Sequence, residues 1–389
     1  MATAPMAVVF SSDYARAISR LPVHPQREVM TFSLLQHLRL LDRLHVVAPT
    51  PATDADLARF HAPRYIAALQ NAPTLSLDEQ LEFSLTDDAC AFDGLERYCA
   101  YVAGGSITAA TLLTLSSPAR PVDVAVHWGG GRHHAKKASA SGFCYVNDVV
   151  LAVDVLLRSS PSAKVLVLDI DVHHGDGVEE AYYYSARVFT MSFHKYARGF
   201  FPNSGAPSRI GAGPGKHTNL NVPLADGITN EQFLEVFELL TATAADVFAP
   251  THLVLVCGVD TLGSDPLGTF NLTAEGIGWC VQVVQELELP LLVLGGGGYH
   301  VPDAARTFAH VTATLLGVEE NLPTTIPEHE YFDKYGPYFT LPTRPNIGRV
   351  NANTIASLEA TCATALQHLE RARAALSSRS IAHRRRDSS

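Results

Sequence analysis

Short apolar runs rich in β-branched residues recur along the chain, and each leads into Gly, Asp or His. They are Val122–Trp128, Lys164–Asp171, Val188–His194, His252–Gly258 and Pro290–Gly295, with two weaker runs at Ala7–Phe10 and Leu44–Val47. Continuous apolar runs of this length predict strands buried on both faces, as in a parallel sheet. Helical stretches fall between them, among them Asn147–Leu157 and Glu231–Phe248. Strands alternating with helices predict an α/β fold: a central, mostly parallel sheet of about eight strands flanked by helices.

Composition narrows the class. The 389 residues would make two or three domains of average size, but large α/β enzymes often fold as one. Hydrophobic residues make up 47% and charged residues 17%, which fits a large core. The six cysteines are scattered with no CxxC pair, so they read as reduced thiols in an intracellular protein. The first residues lack a basic n-region, and no apolar run is long enough for a membrane span. A formal charge of -10 argues against general affinity for nucleic acid, while leaving basic peptides as partners. No internal repeat is visible. Residues 1–376 are expected to form one catalytic domain, and 377–389 a basic disordered tail that could serve as an import or phosphorylation segment.

In open parallel sheets, ligands bind beyond the carboxyl ends of the strands. Unusual polar residues cluster there in four segments. Asp169-Ile-Asp-Val-His-His-Gly-Asp-Gly177 follows one run, and Asp169, Asp171 and His173 alternate along it. Two carboxylates and an imidazole suit a metal such as zinc; the rival reading is an Asp/Gly turn capping a helix. A third ligand could come from Gly258-Val-Asp-Thr-Leu-Gly-Ser-Asp-Pro266, where Asp265 and Asp260 compete. Gly129-Gly-Gly-Arg-His-His134 offers a histidine pair for proton transfer, with Asp169 and Asp176 as orienting carboxylates. Gly295–Gly298 lets backbone pass close to a ligand, and Tyr299 ends the turn, where its hydroxyl could point at an oxyanion. No Lys-Ser/Thr follows these glycines, which disfavours a phosphate loop.

These segments, with Ser141-Gly-Phe-Cys-Tyr-Val-Asn-Asp148, resemble the class I histone deacetylases of the arginase-deacetylase fold, over most of the chain from His24 to Gly336. The resemblance implies zinc-dependent hydrolysis of the acetyl amide of N6-acetyl-lysine in histones and other proteins. It implies zinc ligands Asp171, His173 and Asp265, with Fe2+ as the alternative metal in cells. It implies a dyad of His133 and His134 backed by Asp169 and Asp176, and Tyr299 at the oxyanion. An acetyl-lysine tube would be walled by Phe143 and Phe201, with Gly142 beside it, Leu272 at the rim, and Asp88 gripping the substrate backbone; Asp87 is the alternative. A structural K+ would match Asp169, Asp171, His173, Ser192 and Phe193, and Arg27 would lie beside an acetate channel.

Corepressor-dependent members carry an arginine right after the third ligand and another after the glycine-tyrosine turn. Pro266 and Pro302 stand there instead. The chain thus resembles the type-eight branch, which needs neither corepressor nor inositol phosphate, although Leu272 replaces that branch's rim methionine. The implied location is the nucleus, with the cytoplasm as a second compartment. Of the two histidines, His134 is expected to act as base and then acid and to hold a proton more easily, with His133 stabilising charge. The rival readings are an acetylpolyamine amidohydrolase, a catalytically silent chromatin adaptor, and an arginase-like dinuclear site.

Overall fold

All seven apolar runs form strands. The computed structural model describes residues 6–114 and 122–387, with side chains up to residue 377. The strands are β1 (Met6–Val9), β2 (His45–Val47), β3 (Val124–His127), β4 (Val165–Asp169), β5 (Val188–Lys195), β6 (Asn219–Leu224), β7 (His252–Val256) and β8 (Leu291–Leu294). They make one eight-stranded sheet in the order β2-β1-β3-β8-β7-β4-β5-β6, and every pairing is parallel. All of β4 and β8 is buried, because helices cover both faces.

β6 does not stand out in the apolar pattern, because Asn219, Asn221 and Pro223 interrupt it. Its position explains this. Among the described residues β6 pairs only with β5, so Pro223 can lack an N–H there without breaking an interior ladder. The two asparagines lie two residues apart on one face, and both bind Glu179. The terminal helix, Ile355–Asp387, packs against this edge strand. Its backbone stays helical through the stretch from 377 that composition suggested was disordered. Ala374, Ala375 and Leu376 are strong helix formers, and the half-buried Leu376 continues a face on which Leu369 and Ala372 are buried. Residues 388 and 389 lie outside the described set. No described helix is long and apolar enough to cross a membrane.

The strand order fixes where a site can form. From β4 the chain moves to β5 on one side; from β7 it moves to β8 on the other. β4 and β7 are neighbours, so their following loops diverge and leave a crevice at their carboxyl ends. The loops after β3, β4, β7 and β8 converge there, as the sequence predicts.

Candidate metal and acid-base site

The loop after β3 turns sharply to deliver the histidine pair. Gly131 has φ +84°, and a Cβ on Gly130 would lie 2.6 Å from Asp148 Oδ2. Asp148 starts the helix Asp148–Ser159 and is fully buried. Its carboxylate accepts the N–H groups of Gly131 at 2.9 Å and Arg132 at 2.7 Å, pinning the turn just ahead of His133. The Ser106 hydroxyl also donates to Asp148. Ser106 in turn meets His127 Nδ1 at 2.8 Å, and His127 Nε2 meets the Tyr14 hydroxyl at 2.7 Å. Burial lowers the His127 pKa to about 3, so the ring is neutral and accepts from Tyr14. This buried chain of four side chains was not legible in sequence: Asp148 there reads as a helix start, and its partners come from distant segments.

His133 and His134 stand as expected. His133 Nδ1 lies 2.7 Å from Asp169, and His134 Nδ1 lies 2.7 Å from Asp176, which also pairs with Lys136. A carboxylate only accepts, so each Nδ1 carries the hydrogen. The two Nε2 atoms then meet at 2.9 Å. Two bare lone pairs at that distance would repel, so one proton sits between them, and the pair titrates as a unit. Burial opposes charge on His133, but Asp169 and Asp171 outweigh it and lift its pKa to about 9. Burial and the charge on His133 push His134 down to about 3, despite Asp176. The order of proton affinity is therefore the reverse of the sequence expectation. The reason is geometric: Asp171 also faces His133, 3.9 Å from its Nε2, and the rings touch.

Beyond β4 and β7, Asp171, His173 and Asp260 bring donor atoms within 4.8 Å of one another, all buried. His173 Nδ1 is 3.1 Å from Asp171 and 3.0 Å from Asp260. Burial and the charge of Asp171 raise the Asp260 pKa to about 7. Burial opposes charge on His173, but its bonds to Asp171 and Asp260 lift its pKa to about 10. Glycines make room for the carboxylates: a Cβ on Gly258 would lie 2.2 Å from Asp171, and one on Gly297 would lie 2.1 Å from Asp260. Crowded carboxylate oxygens beside an imidazole nitrogen fit a divalent cation such as zinc.

Two expectations need correction. Asp265 is not part of this donor cluster. Its Oδ1 accepts from Leu267 and Gly268 and its Oδ2 from Tyr299 and His300, which holds the carboxylate against the loop after β8, and Asp260 instead stands with Asp171 and His173 in the cluster. Leu272 is not at the rim. It is 1% exposed, because its backbone bridges to Leu262 and turns the side chain into the core; Leu267 lines the pocket instead.

That pocket is a cavity of about 300 Å³ leading to the donor cluster, lined by Asp88, His134, Gly142, Phe143, His173, Phe200, Phe201, Leu267 and Tyr299. Phe201 meets His134 edge-on at 4.9 Å, and Phe143 meets Tyr299 edge-on at 5.6 Å. Gly142 has φ +53°, and a Cβ there would lie 2.6 Å from His134. Phe200, which sequence reading passed over for Phe201, stacks flat on His173 at 5.2 Å. At the mouth, Asp88 accepts the Gly142 N–H at 3.1 Å, while Asp87 is not among the lining residues. Burial and the nearby carboxylates raise the Tyr299 pKa, so its phenol keeps the proton. Arg27, fully buried, donates to the Gly296 and Gly298 carbonyls beneath the glycine turn. Of the residues matched to potassium, Ser192 stands in register with Asp169 across β4 and β5.

Fold and site together define an α/β protein with a buried metal-donor cluster and a histidine–carboxylate dyad at the foot of an aromatic-walled pocket. Residues 21–315 match the histone deacetylase domain. The chain is 44% identical over 329 residues to histone deacetylase 19 of Arabidopsis thaliana, covering 84% of this chain and 64% of that protein. It is 43% identical over 356 residues to histone deacetylase 1 of Oryza sativa subsp. japonica, covering 90% and 67%. It is 42% identical over 354 residues to histone deacetylase 6 of Arabidopsis thaliana, covering 90% and 73%. The chain belongs to the histone deacetylase family. It spans just under two thirds of the length of the first of these relatives.

Proposed function

We propose that this protein hydrolyses the acetyl amide of N6-acetyl-lysine in histones and other proteins, using zinc held by Asp171, His173 and Asp260. The observation that carries this reading is the dyad and the donor cluster meeting at the foot of one narrow, aromatic-walled cavity. Zinc there would polarise the acetyl carbonyl and acidify water. Phe143 and Phe201 fit the apolar lysine stem and keep bulk water out. Asp176 fixes the His134 tautomer, so neutral Nε2 takes the proton of the attacking water and later passes it to the leaving amine. His133, holding the shared proton, stabilises the negative charge that builds beside it. The Tyr299 phenol donates to the carbonyl oxygen as it becomes an oxyanion.

Pro266 and Pro302 offer no charge to an inositol phosphate, which supports action without a corepressor. The register of Ser192 with Asp169 supports a structural potassium. The basic His383-Arg-Arg-Arg386 segment supports a nuclear location, shared with the cytoplasm. The test is acetate release by the zinc-loaded protein from an acetyl-lysine histone peptide and, in parallel, from acetyl-spermidine. Release from the peptide is expected; release from the polyamine alone would make the protein an acetylpolyamine amidohydrolase. Added inositol phosphate should leave the peptide rate within about twofold, below the roughly fivefold or larger change that allosteric coupling produces.

A further inference from the structure

We propose that Asp265 is a positioning residue that anchors Tyr299; the proposal rests on the deacetylase reading above. Asp265 is buried, with 3% of its surface exposed. Its bonds to the Leu267 and Gly268 N–H groups, at 2.9 and 3.0 Å, are those of an ordinary Asp-Pro turn. The other oxygen does something a turn does not need. It crosses to the β8 loop and accepts the Tyr299 N–H at 2.7 Å and the His300 N–H at 3.4 Å.

The anchor has work to do because of what precedes Tyr299. Gly296 and Gly298 have φ +157° and +137°, and glycine places few limits on its own backbone. The turn is therefore held from outside. Arg27 takes the carbonyls of Gly296 and Gly298, and Asp171 takes the Gly297 N–H at 2.7 Å. Asp265 is what fixes the backbone of Tyr299 itself. It also ties the backbones of Tyr299 and Leu267, both of which line the pocket, through one carboxylate. A phenol held this way contributes in the transition state and little to ground-state binding, so losing the anchor lowers turnover rather than affinity.

The experiment uses Asp265→Ala, Tyr299→Phe, the double variant, and Asp260→Ala as the metal control, all in the full chain. Asp265→Ala should keep one zinc per chain while Asp260→Ala loses it. Its kcat should fall about tenfold or more with KM little changed, since small misplacements of a catalytic group cost up to about a hundredfold. The double variant should turn over no more slowly than Tyr299→Phe alone, because an anchor has nothing left to position once the hydroxyl is gone. Amide exchange over residues 295–301 should speed up. Loss of zinc in Asp265→Ala, additive losses in the double variant, or a raised KM with intact kcat would each overturn the proposal. If Asp265→Ala does not fold, Asp265→Asn, which can bind only one of the two N–H pairs well, carries the same tests. Should the wild-type protein release no acetate from acetyl-lysine, the functional reading fails, and the exchange and metal measurements still decide the anchor.

Discussion

Asp260 and Asp265 sit in the same loop, both buried, and the same residue type stands in two unlike settings. What separates them is the company each oxygen keeps. Asp260 Oδ2 faces the His173 ring, while Asp265 spends its oxygens on four N–H groups. Sequence offers both carboxylates and no means of telling which of them will turn toward the His173 ring. The histidines show the same limit: adjacency was legible, but the 2.9 Å meeting of their Nε2 atoms was not. That meeting sets a pH profile. His133, lifted to about 9, carries its charge below that pH and loses it above. The kcat/KM should therefore decline on the alkaline side, and His133→Ala should abolish that limb. His134→Ala removes the proposed base and should cost more, roughly a hundredfold to ten-thousandfold. Stopped assays from pH 6 to 10 check both; an alkaline limb that survives in His133→Ala refutes the assignment. Tyr299→Phe should lower kcat about a hundredfold with substrate still bound, as for loss of one oxyanion donor.

At the level of elements, the strands read clearly where burial on both faces makes the sequence uniformly apolar, as in β4 and β8. β6 was obscure for a reason that also defines its role. Asn219 and Asn221 face Glu179, which is 3% exposed and also binds His174 and Arg209. Burial alone would raise the Glu179 pKa, but these donors outweigh it and hold the pKa near 2. An unfolded glutamate titrates at about 4.3, so the folded state binds this proton more weakly. The stability contributed is complete above the unfolded value and is lost as pH falls from about 4.3 toward 2, on the order of 3 kcal/mol. Urea unfolding at stepped pH should show this fall in the wild type. In Glu179→Gln the curve should be flatter over that window and the protein less stable at neutral pH. An unchanged acid limb would mean that other carboxylates carry it.

The whole molecule is what assembles the donor cluster. Asp171 and His173 follow β4, Asp260 follows β7, and the intervening chain must build β5, β6 and a long helix before they meet. Bound metal should therefore stabilise the entire sheet rather than a loop. Zinc at a hundred times its dissociation constant would add about 2.7 kcal/mol. A thermal scan should show the midpoint rise with zinc and fall with a chelator, and Asp260→Ala should remove the response. The sheet, its approximate strand number and the edge that carries the chemistry were legible because hydrophobic runs and the end-of-strand rule act over short stretches of sequence. The third member of the donor cluster, the pocket-lining leucine and the Tyr14–His127–Ser106–Asp148 chain were not, because each depends on contacts between distant segments. The terminal helix over β6 has a consequence during synthesis. Until that helix leaves the ribosome, β6 presents an open edge on which another nascent chain could add a strand. Pro223 removes one donor from the strand and so blunts the template. Protein shortened to end before Ile355 should thus emerge as soluble oligomers or aggregate, visible by light scattering, while the chain that carries this helix escapes that fate by covering its own edge strand.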